Sequence, residues 1–194
     1  MTMETTSRGT AVLATLAAAV VGLSACGAPD SEDGAAGGGG GQASESGGAG
    51  ATPPKAGETP PALDFTTRTV DGNDFAGAEL QGKPVVLWFW APWCTVCRGE
   101  AEGVMKAAER HTDDVKFIGV AGRGEVDDMK KFVDDTETDG MTHIVDDDGS
   151  IWSGFEVTGQ PAFSFLRADG TFHTVSGTLS DADLDGYIAD DLTG

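Results

Sequence analysis

The sequence predicts an α/β domain in which helices flank a mixed central β-sheet, with an N-terminal β-hairpin extension. The first observation is the continuous apolar run at residues 85–90, which is typical of a strand buried on both faces of a sheet. The second is the alternation of strand-like and helix-like segments after it, which requires parallel strands joined by right-handed crossovers. The third is a hairpin pattern near the C-terminus, which adds antiparallel strands and makes the sheet mixed.

The individual elements are predicted in chain order from apolar periodicity and turn signals. In the N-terminal extension, residues 63–67 and 69–70 flank a candidate hairpin turn at Asp71-Gly72. A helix from Cys94 to about Arg110 follows the strand at 85–90, because its apolar residues recur at helical spacing. The later elements are a strand at 115–121, a helix over Val126, Met129 and Val133, a short strand at 142–145, a hairpin of 162–167 and 171–175, and a last helix capped by Ser180.

Residues 1–25 predict a lipoprotein signal peptide. Arg8 supplies the positive charge of a weak n-region. The apolar stretch at 10–23 is too short and too alanine-rich for a membrane-spanning helix. The stretch ends in Leu-Ser-Ala-Cys at 23–26, which resembles a bacterial lipobox. Cys26 would then be lipidated and would hold the chain on the outer side of the cell membrane. The alternative is an ordinary signal peptide cut near Ala25, which would leave a secreted protein.

Residues 26–60 predict a flexible tether, and residues 61–194 the folded domain. The tether is rich in Gly, Ala and Pro, so it cannot bury enough apolar area to order itself. The formal net charge of the chain is −20, which disfavours nucleic acid and anionic surfaces as partners. A solvated acidic surface is the favoured interpretation of this charge, and attraction of a basic protein partner is the alternative.

The chain has three cysteines, and Cys94 and Cys97 form a Cys-x-x-Cys motif. Since Cys26 belongs to the targeting segment, no further pair is left for a structural disulfide. A Cys-x-x-Cys where a strand gives way to a helix indicates a redox dithiol, because the helix N-terminus favours a thiolate. We expect Cys94 to be exposed and nucleophilic, with Cys97 one turn inside the helix.

Metal and haem sites are weaker interpretations of the same cysteines. Zinc would need two more ligands, and the three histidines are not paired at ligand spacing. Haem attachment would need a histidine directly after the second cysteine, where the chain has Arg98.

A calcium site is also disfavoured. The acidic run at 146–148 lacks the spacing of a calcium loop and predicts a solvated turn. We therefore expect no metal and no cofactor.

The residues around the motif resemble the TlpA/ResA/DsbE-like branch of the thioredoxin-fold proteins. The resemblance rests on the segment 82–94, which leads into the dithiol, and on Phe65 with Asp71-Gly72 before it. Glu100 matches the branch's Cys-x-x-Cys-x-x-Glu pattern, and further landmarks are Asp148-Gly149, Phe155-Glu156-Val157 and Gln160-Pro161-Ala162. It implies a thioredoxin-like fold and a thiol–disulfide oxidoreductase that acts outside the cytoplasmic membrane.

The resemblance also implies roles for individual residues. Cys94 is the nucleophile, Cys97 the resolving thiol, Glu100 a buried acid near the dithiol, and Pro161 a cis-proline that faces it. Substrate contacts are expected at Trp93, Thr95, Val96 and Gln160. Without the resemblance, Glu100 would be an ordinary exposed helix glutamate and Pro161 a trans turn proline.

Two departures from the family pattern concern residues beside the motif. Thr95-Val96 replaces the more familiar Gly-Pro, Pro-Pro or Glu-Pro between the cysteines, which leaves the direction of electron flow open. Trp88 occupies the position at which cytoplasmic thioredoxins bury an aspartate, so Glu100 is the nearest candidate for proton transfer.

The implied partners are proteins with thiols or disulfides, and a membrane redox partner of the DsbD/CcdA-like or VKOR/DsbB-like kind. The resemblance slightly favours a reductase. Two alternatives remain at this point: a peroxiredoxin-like peroxidase, and a non-catalytic binding or chaperone lipoprotein on the same fold.

Overall fold

A computed structural model of the protein describes residues 58–194. The predicted signal peptide, the lipidation site Cys26 and nearly all of the predicted tether lie outside the described residues. Among those described, no helix is long and apolar enough to cross a membrane.

A five-stranded mixed sheet forms the centre of the domain. Its strands are β3 (Val85–Trp90), β4 (Lys116–Gly122), β5 (Thr142–Asp146), β6 (Ala162–Leu166) and β7 (Phe172–Ser176). They lie in the order β5-β4-β3-β6-β7, with β3, β4 and β5 parallel to one another and β6 and β7 antiparallel to their neighbours. The predicted mixed sheet and thioredoxin-like fold are confirmed.

Helices cover both faces of this sheet. They are α1 (Thr95–Arg110), α2 (Val126–Thr136), α3 (Ser150–Gly154) and α4 (Asp181–Tyr187), with 3-10 turns at Pro61–Leu63 and Gly77–Leu80 and a π-helical turn at Ile188–Thr193. All six residues of β3 are buried and alternate between two cores. Trp88 and Trp90 face the core built with α1, α2 and α4, and Phe89 faces the core built with α3 and the N-terminal segment.

The N-terminal hairpin is present with its turn at the predicted position, and its second strand lies in residues that the sequence did not predict as a strand. The strands are β1 (Thr66–Arg68) and β2 (Asp74–Ala76), and Gly72 adopts a φ of +91° in the turn between them. Residues 69–70, which were predicted to flank the turn, directly precede it and belong to neither strand. They lie against the edge of the central sheet, where the Val70 N–H donates to the carbonyl of His143 at 2.8 Å.

The acidic run at 146–148, which begins with the last residue of β5, is not a fully solvated turn, and this corrects that prediction. Asp146 is 3% exposed and accepts hydrogen bonds from the backbone N–H groups of Ile151 and Trp152 at 3.2 and 2.8 Å. It thereby satisfies free N–H groups in the first turn of α3, a helix that apolar periodicity did not predict. Asp147 and Asp148 are exposed, as a solvated turn requires.

Candidate active site

The residues of the candidate site meet at the edge of the sheet that is formed by the carboxyl ends of its parallel strands. The parallel strands β3 and β4 both end there, and four residues separate the end of β3 from the start of α1. Strand β6 runs antiparallel to β3 and begins beside its end, since Ala162 pairs with Phe89. The register therefore brings Pro161, directly before Ala162, to the same edge as Cys94.

Cys94 and Cys97 are joined by a disulfide at the start of α1. Cys94 is the N-cap residue, and its Sγ accepts a hydrogen bond from the backbone N–H of Cys97 at 3.0 Å. Only 6% of Cys94 is exposed, against 0% of Cys97. The prediction of an exposed Cys94 is thus wrong, because its sulfur is bonded inward to the buried Cys97. Cys94 is still the more accessible of the two.

Glu100 lies one turn after Cys97 on α1 and is 8% exposed. Its Oε1 accepts a hydrogen bond from the Trp88 indole at 2.8 Å, whereas Oε2 is buried without a hydrogen bond of normal geometry to any described residue. Burial raises the pKa of Glu100 to about 7, and the Trp88 and Thr178 side chains offset part of that rise. The carboxyl can therefore gain or lose a proton near neutral pH.

The Gln160–Pro161 peptide bond is cis, and Pro161 is buried. The Pro161 carbonyl accepts a hydrogen bond from the Gly177 N–H at 2.8 Å, which ties the segment to the chain beyond β7. In contrast, the N–H and C=O of Gln160 have no backbone partner within residues 58–194. An extended peptide could therefore pair with Gln160 at this edge.

Apolar side chains are exposed beside the disulfide. Trp93 is 61% exposed and Val96 is 53% exposed, and Thr95 between them is also exposed. Within the described part of the chain, only Val126 joins these two as an exposed large hydrophobic residue. The site thus presents exposed apolar side chains from residues that precede and follow Cys94 in the chain.

Arg123 was not predicted from the sequence, although it contacts two of the predicted site residues. Its carbonyl accepts from the Trp93 indole at 2.7 Å, and its guanidinium donates to Gln160 Oε1 at 3.1 Å and to the Thr158 carbonyl at 3.0 Å. The only sequence signal was its position in Gly122-Arg123-Gly124, directly after a buried strand of the same sheet.

A second buried titratable group lies further inside the same core. His143 on β5 is 4% exposed, donates from Nε2 to the Thr138 carbonyl at 2.9 Å, and accepts at Nδ1 from the Trp90 indole at 3.2 Å. Burial lowers the pKa of His143 to about 4, so the ring is neutral at physiological pH. Residues 58–194 contain no group of three His, Cys, Asp or Glu side chains placed to hold a metal ion.

Comparisons with known proteins agree with this geometry. Residues 59–174 match the AhpC/TSA family. The soluble secreted antigen MPT53 of Mycobacterium tuberculosis is 43% identical over 130 residues, which are 66% of this chain and 74% of that protein.

Two solved structures share a similar percentage of identical residues with this chain. The structure of DsbF from MTB, in mixed oxidized and reduced forms, superposes with a TM-score of 0.65 at 43% identity, covering 69% of this chain and 98% of that one. A secreted Mycobacterium tuberculosis disulfide oxidoreductase homologous to Escherichia coli DsbE gives a TM-score of 0.61 at 42% identity, with coverage of 66% and 97%.

Proposed function

We propose that this chain, which belongs to the AhpC/TSA family and is a thiol–disulfide oxidoreductase, exchanges disulfides with protein substrates through Cys94 and Cys97. The observation that carries the proposal is the Cys94–Cys97 disulfide at the N-terminus of α1, at the same sheet edge as cis-Pro161 and between the exposed Trp93 and Val96.

The exchange runs in two steps that balance in electrons and protons. The Cys94 thiolate attacks one sulfur of a substrate disulfide, that S–S bond breaks, and the other substrate sulfur leaves as a thiolate and takes up a proton. Cys97 then gives up its proton and attacks Cys94 Sγ, which releases the second substrate thiol and forms the Cys94–Cys97 bond. Two electrons and two protons pass to the substrate, and the reverse sequence donates a disulfide.

The surroundings of Cys94 suit a protein substrate better than a small thiol. Trp93 and Val96 offer apolar surface to an unfolded or extended segment, and the unpaired backbone groups of Gln160 can hydrogen-bond to its main chain. We assign the substrate contacts to these residues together with Thr95.

Glu100 is the residue best placed to move the proton of Cys97. Both residues lie on α1 three positions apart, so their side chains share one face of the helix. Its pKa of about 7 allows either protonation state at the moment of exchange. An ionised Glu100 also disfavours a nearby thiolate, whereas the Cys97 N–H at 3.0 Å from Cys94 Sγ favours one.

The direction of electron flow follows from the balance of these two effects. The reduction potential of the Cys94–Cys97 pair measures that balance directly. A potential near about −270 mV would make the protein a reductant, and one near about −120 mV an oxidant.

We place the protein outside the cytoplasmic membrane, as the secreted relatives are. The resemblance of residues 23–26 to a lipobox supports a lipid anchor at Cys26, and the tether predicted at 26–60 would let the domain reach its partners. A membrane redox protein of the DsbD/CcdA-like or VKOR/DsbB-like kind would then return the dithiol to its working state.

Two assays on the purified protein test the proposal: reduction of insulin in the presence of dithiothreitol, and oxidative refolding of a reduced disulfide protein. We expect the wild type to accelerate at least one of them and Cys94→Ser to abolish it. Cys26→Ser is the matched control, because it removes a cysteine outside the site and should leave both rates unchanged. A Cys94→Ser variant as active as the wild type would refute the proposal.

The same preparations separate the two alternatives. A peroxiredoxin-like peroxidase would consume hydrogen peroxide through Cys94, but Ala91 stands where such proteins place a Ser or Thr three residues before the nucleophile. A non-catalytic binding protein would retain its partner equally well in the Cys94→Ser/Cys97→Ser variant.

A further inference from the structure

Arg123 is hydrogen-bonded to two segments of the candidate site. One side is the segment before Cys94, whose Trp93 indole donates to the Arg123 carbonyl at 2.7 Å. The other is the segment before cis-Pro161, where the guanidinium donates to the Gln160 side chain and to the Thr158 carbonyl. A single residue of the β4–α2 loop therefore connects segments that are more than 60 positions apart in the chain.

The loop that carries Arg123 is held tightly between its neighbours. A Cβ atom on Gly124 would clash with the Pro92 ring, and one on Gly122 would lie 2.9 Å from the Trp152 ring. Arg123 itself has a φ of +58°, a left-handed conformation that is unfavourable for a residue with a side chain. Its guanidinium also stacks over the Trp152 ring, with 4.7 Å from Cζ to the ring centroid. These contacts fix the loop in one place.

The charge of Arg123 is not used in an ion pair. No carboxylate of residues 58–194 lies within 4.0 Å of its guanidinium, whose hydrogen bonds go to neutral oxygens. The planar guanidinium donates in a fork, so it can bond Gln160 and Thr158 at the same time. Its planar geometry therefore explains its hydrogen bonds, whereas its charge contributes to the contact with the Trp152 ring.

We propose that Arg123 is a positioning residue that fixes the distance between Trp93 and Gln160 and so shapes the cleft into which a protein substrate docks. The inference rests on the proposed function, because it concerns the substrate cleft of that same site. A protein substrate has to contact Trp93 and the Gln160 backbone together, and it loses affinity when their spacing is no longer fixed. A small dithiol needs access only to the sulfur of Cys94, so its reaction does not depend on the cleft.

The test compares Arg123→Met with Arg110→Met in the full-length protein. Both changes remove one positive charge. The pair therefore controls for an effect of the protein's net charge on the rate at which it meets its substrate. Arg110 bonds Asp185 at the far end of α1, and the helical rise places it about 24 Å from Cys94. The readouts are KM and kcat for a disulfide-bonded protein substrate and the rate at which dithiothreitol reduces the Cys94–Cys97 bond.

We expect Arg123→Met to raise KM for the protein substrate about tenfold, with kcat and the dithiothreitol rate within about twofold of the wild type. Arg110→Met should match the wild type in all three. Arg123→Lys should restore KM only in part, since an ammonium lacks the planar fork that bonds both acceptors. Thermal unfolding of each variant shows whether it is folded, and Arg123→Lys provides the comparison if Arg123→Met is not.

Two outcomes would overturn the inference. An unchanged KM in Arg123→Met and Arg123→Lys would show that the cleft does not depend on this residue. An equal fall in the protein and dithiothreitol rates would show that Arg123 acts on the disulfide itself. If the wild type turned over no protein substrate, the proposed function would fail instead, and the two failures are therefore distinguishable.

Discussion

Replacing Glu100 with Gln should change how the stability of the protein depends on pH. Glutamine keeps an oxygen that can accept from the Trp88 indole, so it removes the titration and little else. The folded protein raises the pKa of Glu100 from 4.5 to about 7. That difference corresponds to at most about 3 kcal/mol of unfolding free energy, and for a domain of this size to a shift in Tm of roughly 10 °C.

The sign follows from the raised pKa. Between pH 4.5 and about 7 the folded protein binds the Glu100 proton more tightly than the unfolded chain does, so stability falls as the pH rises through this window. Above pH 7 the folded wild type holds a buried carboxylate, which Glu100→Gln replaces with a neutral amide. The variant should therefore gain stability relative to the wild type at pH 8 and show much less gain at pH 4.5.

The assay is urea unfolding of the oxidised protein from pH 4.5 to 8.5, monitored by tryptophan fluorescence. Glu102→Gln is the matched control, because Glu102 is exposed on the same helix and pairs only with Lys106. We expect the stability gain of Glu100→Gln over the wild type to grow with pH, and Glu102→Gln to show no such gain, because Lys106 lowers the pKa of Glu102 instead of raising it. A difference for Glu100→Gln that does not vary with pH would refute the assignment of a raised pKa to this residue.

Two further predictions concern the same core. Trp88→Phe removes the indole that favours the ionised carboxyl, so the pKa of Glu100 should rise above about 7. The stability difference between Trp88→Phe and Trp88→Phe/Glu100→Gln should then have its midpoint at a higher pH than the difference between the wild type and Glu100→Gln. An equal midpoint would contradict this prediction. His143 has a pKa lowered from 6.5 to about 4, so its contribution to stability is lost as the pH falls from 6.5 toward 4. His143→Gln should therefore unfold with less acid dependence than the wild type in that window, by at most about 3 kcal/mol in urea titrations; equal slopes would count against it.

The sequence predicted the central sheet because that part of the chain has strong local signals. The apolar run at 85–90 coincides with β3, and the helix predicted from Cys94 to about Arg110 coincides with α1. The Ser180 cap is observed too, with its hydroxyl oxygen accepting from the Asp183 N–H at 3.2 Å. Such patterns are local, and here the tertiary structure reinforces them instead of overriding them.

The features that the sequence did not predict depend on contacts between distant segments. Helix α3 has only five residues, and its first turn is stabilised by Asp146 from the preceding strand, so it has no apolar periodicity to detect. Strand β2 has three residues and pairs only with β1. Arg123 is an exposed loop residue whose partners, Trp93 and Gln160, lie 30 and 37 positions away. No local pattern encodes those pairings.

The contact between Trp88 and Glu100 explains how this site can work with a tryptophan at the strand position where cytoplasmic thioredoxins bury an aspartate. Trp88 points from β3 into the core beneath α1, and Glu100 reaches it from the helix, one turn after Cys97. The acid is thus carried by the helix instead of the strand, and the indole supplies its hydrogen-bond donor. Because burial raises the pKa of Glu100 while the indole limits that rise, the carboxyl titrates near pH 7. Under the proposed function, Glu100 would exchange a proton with Cys97 at neutral pH, which a fully desolvated carboxyl without the Trp88 donor would do only at higher pH.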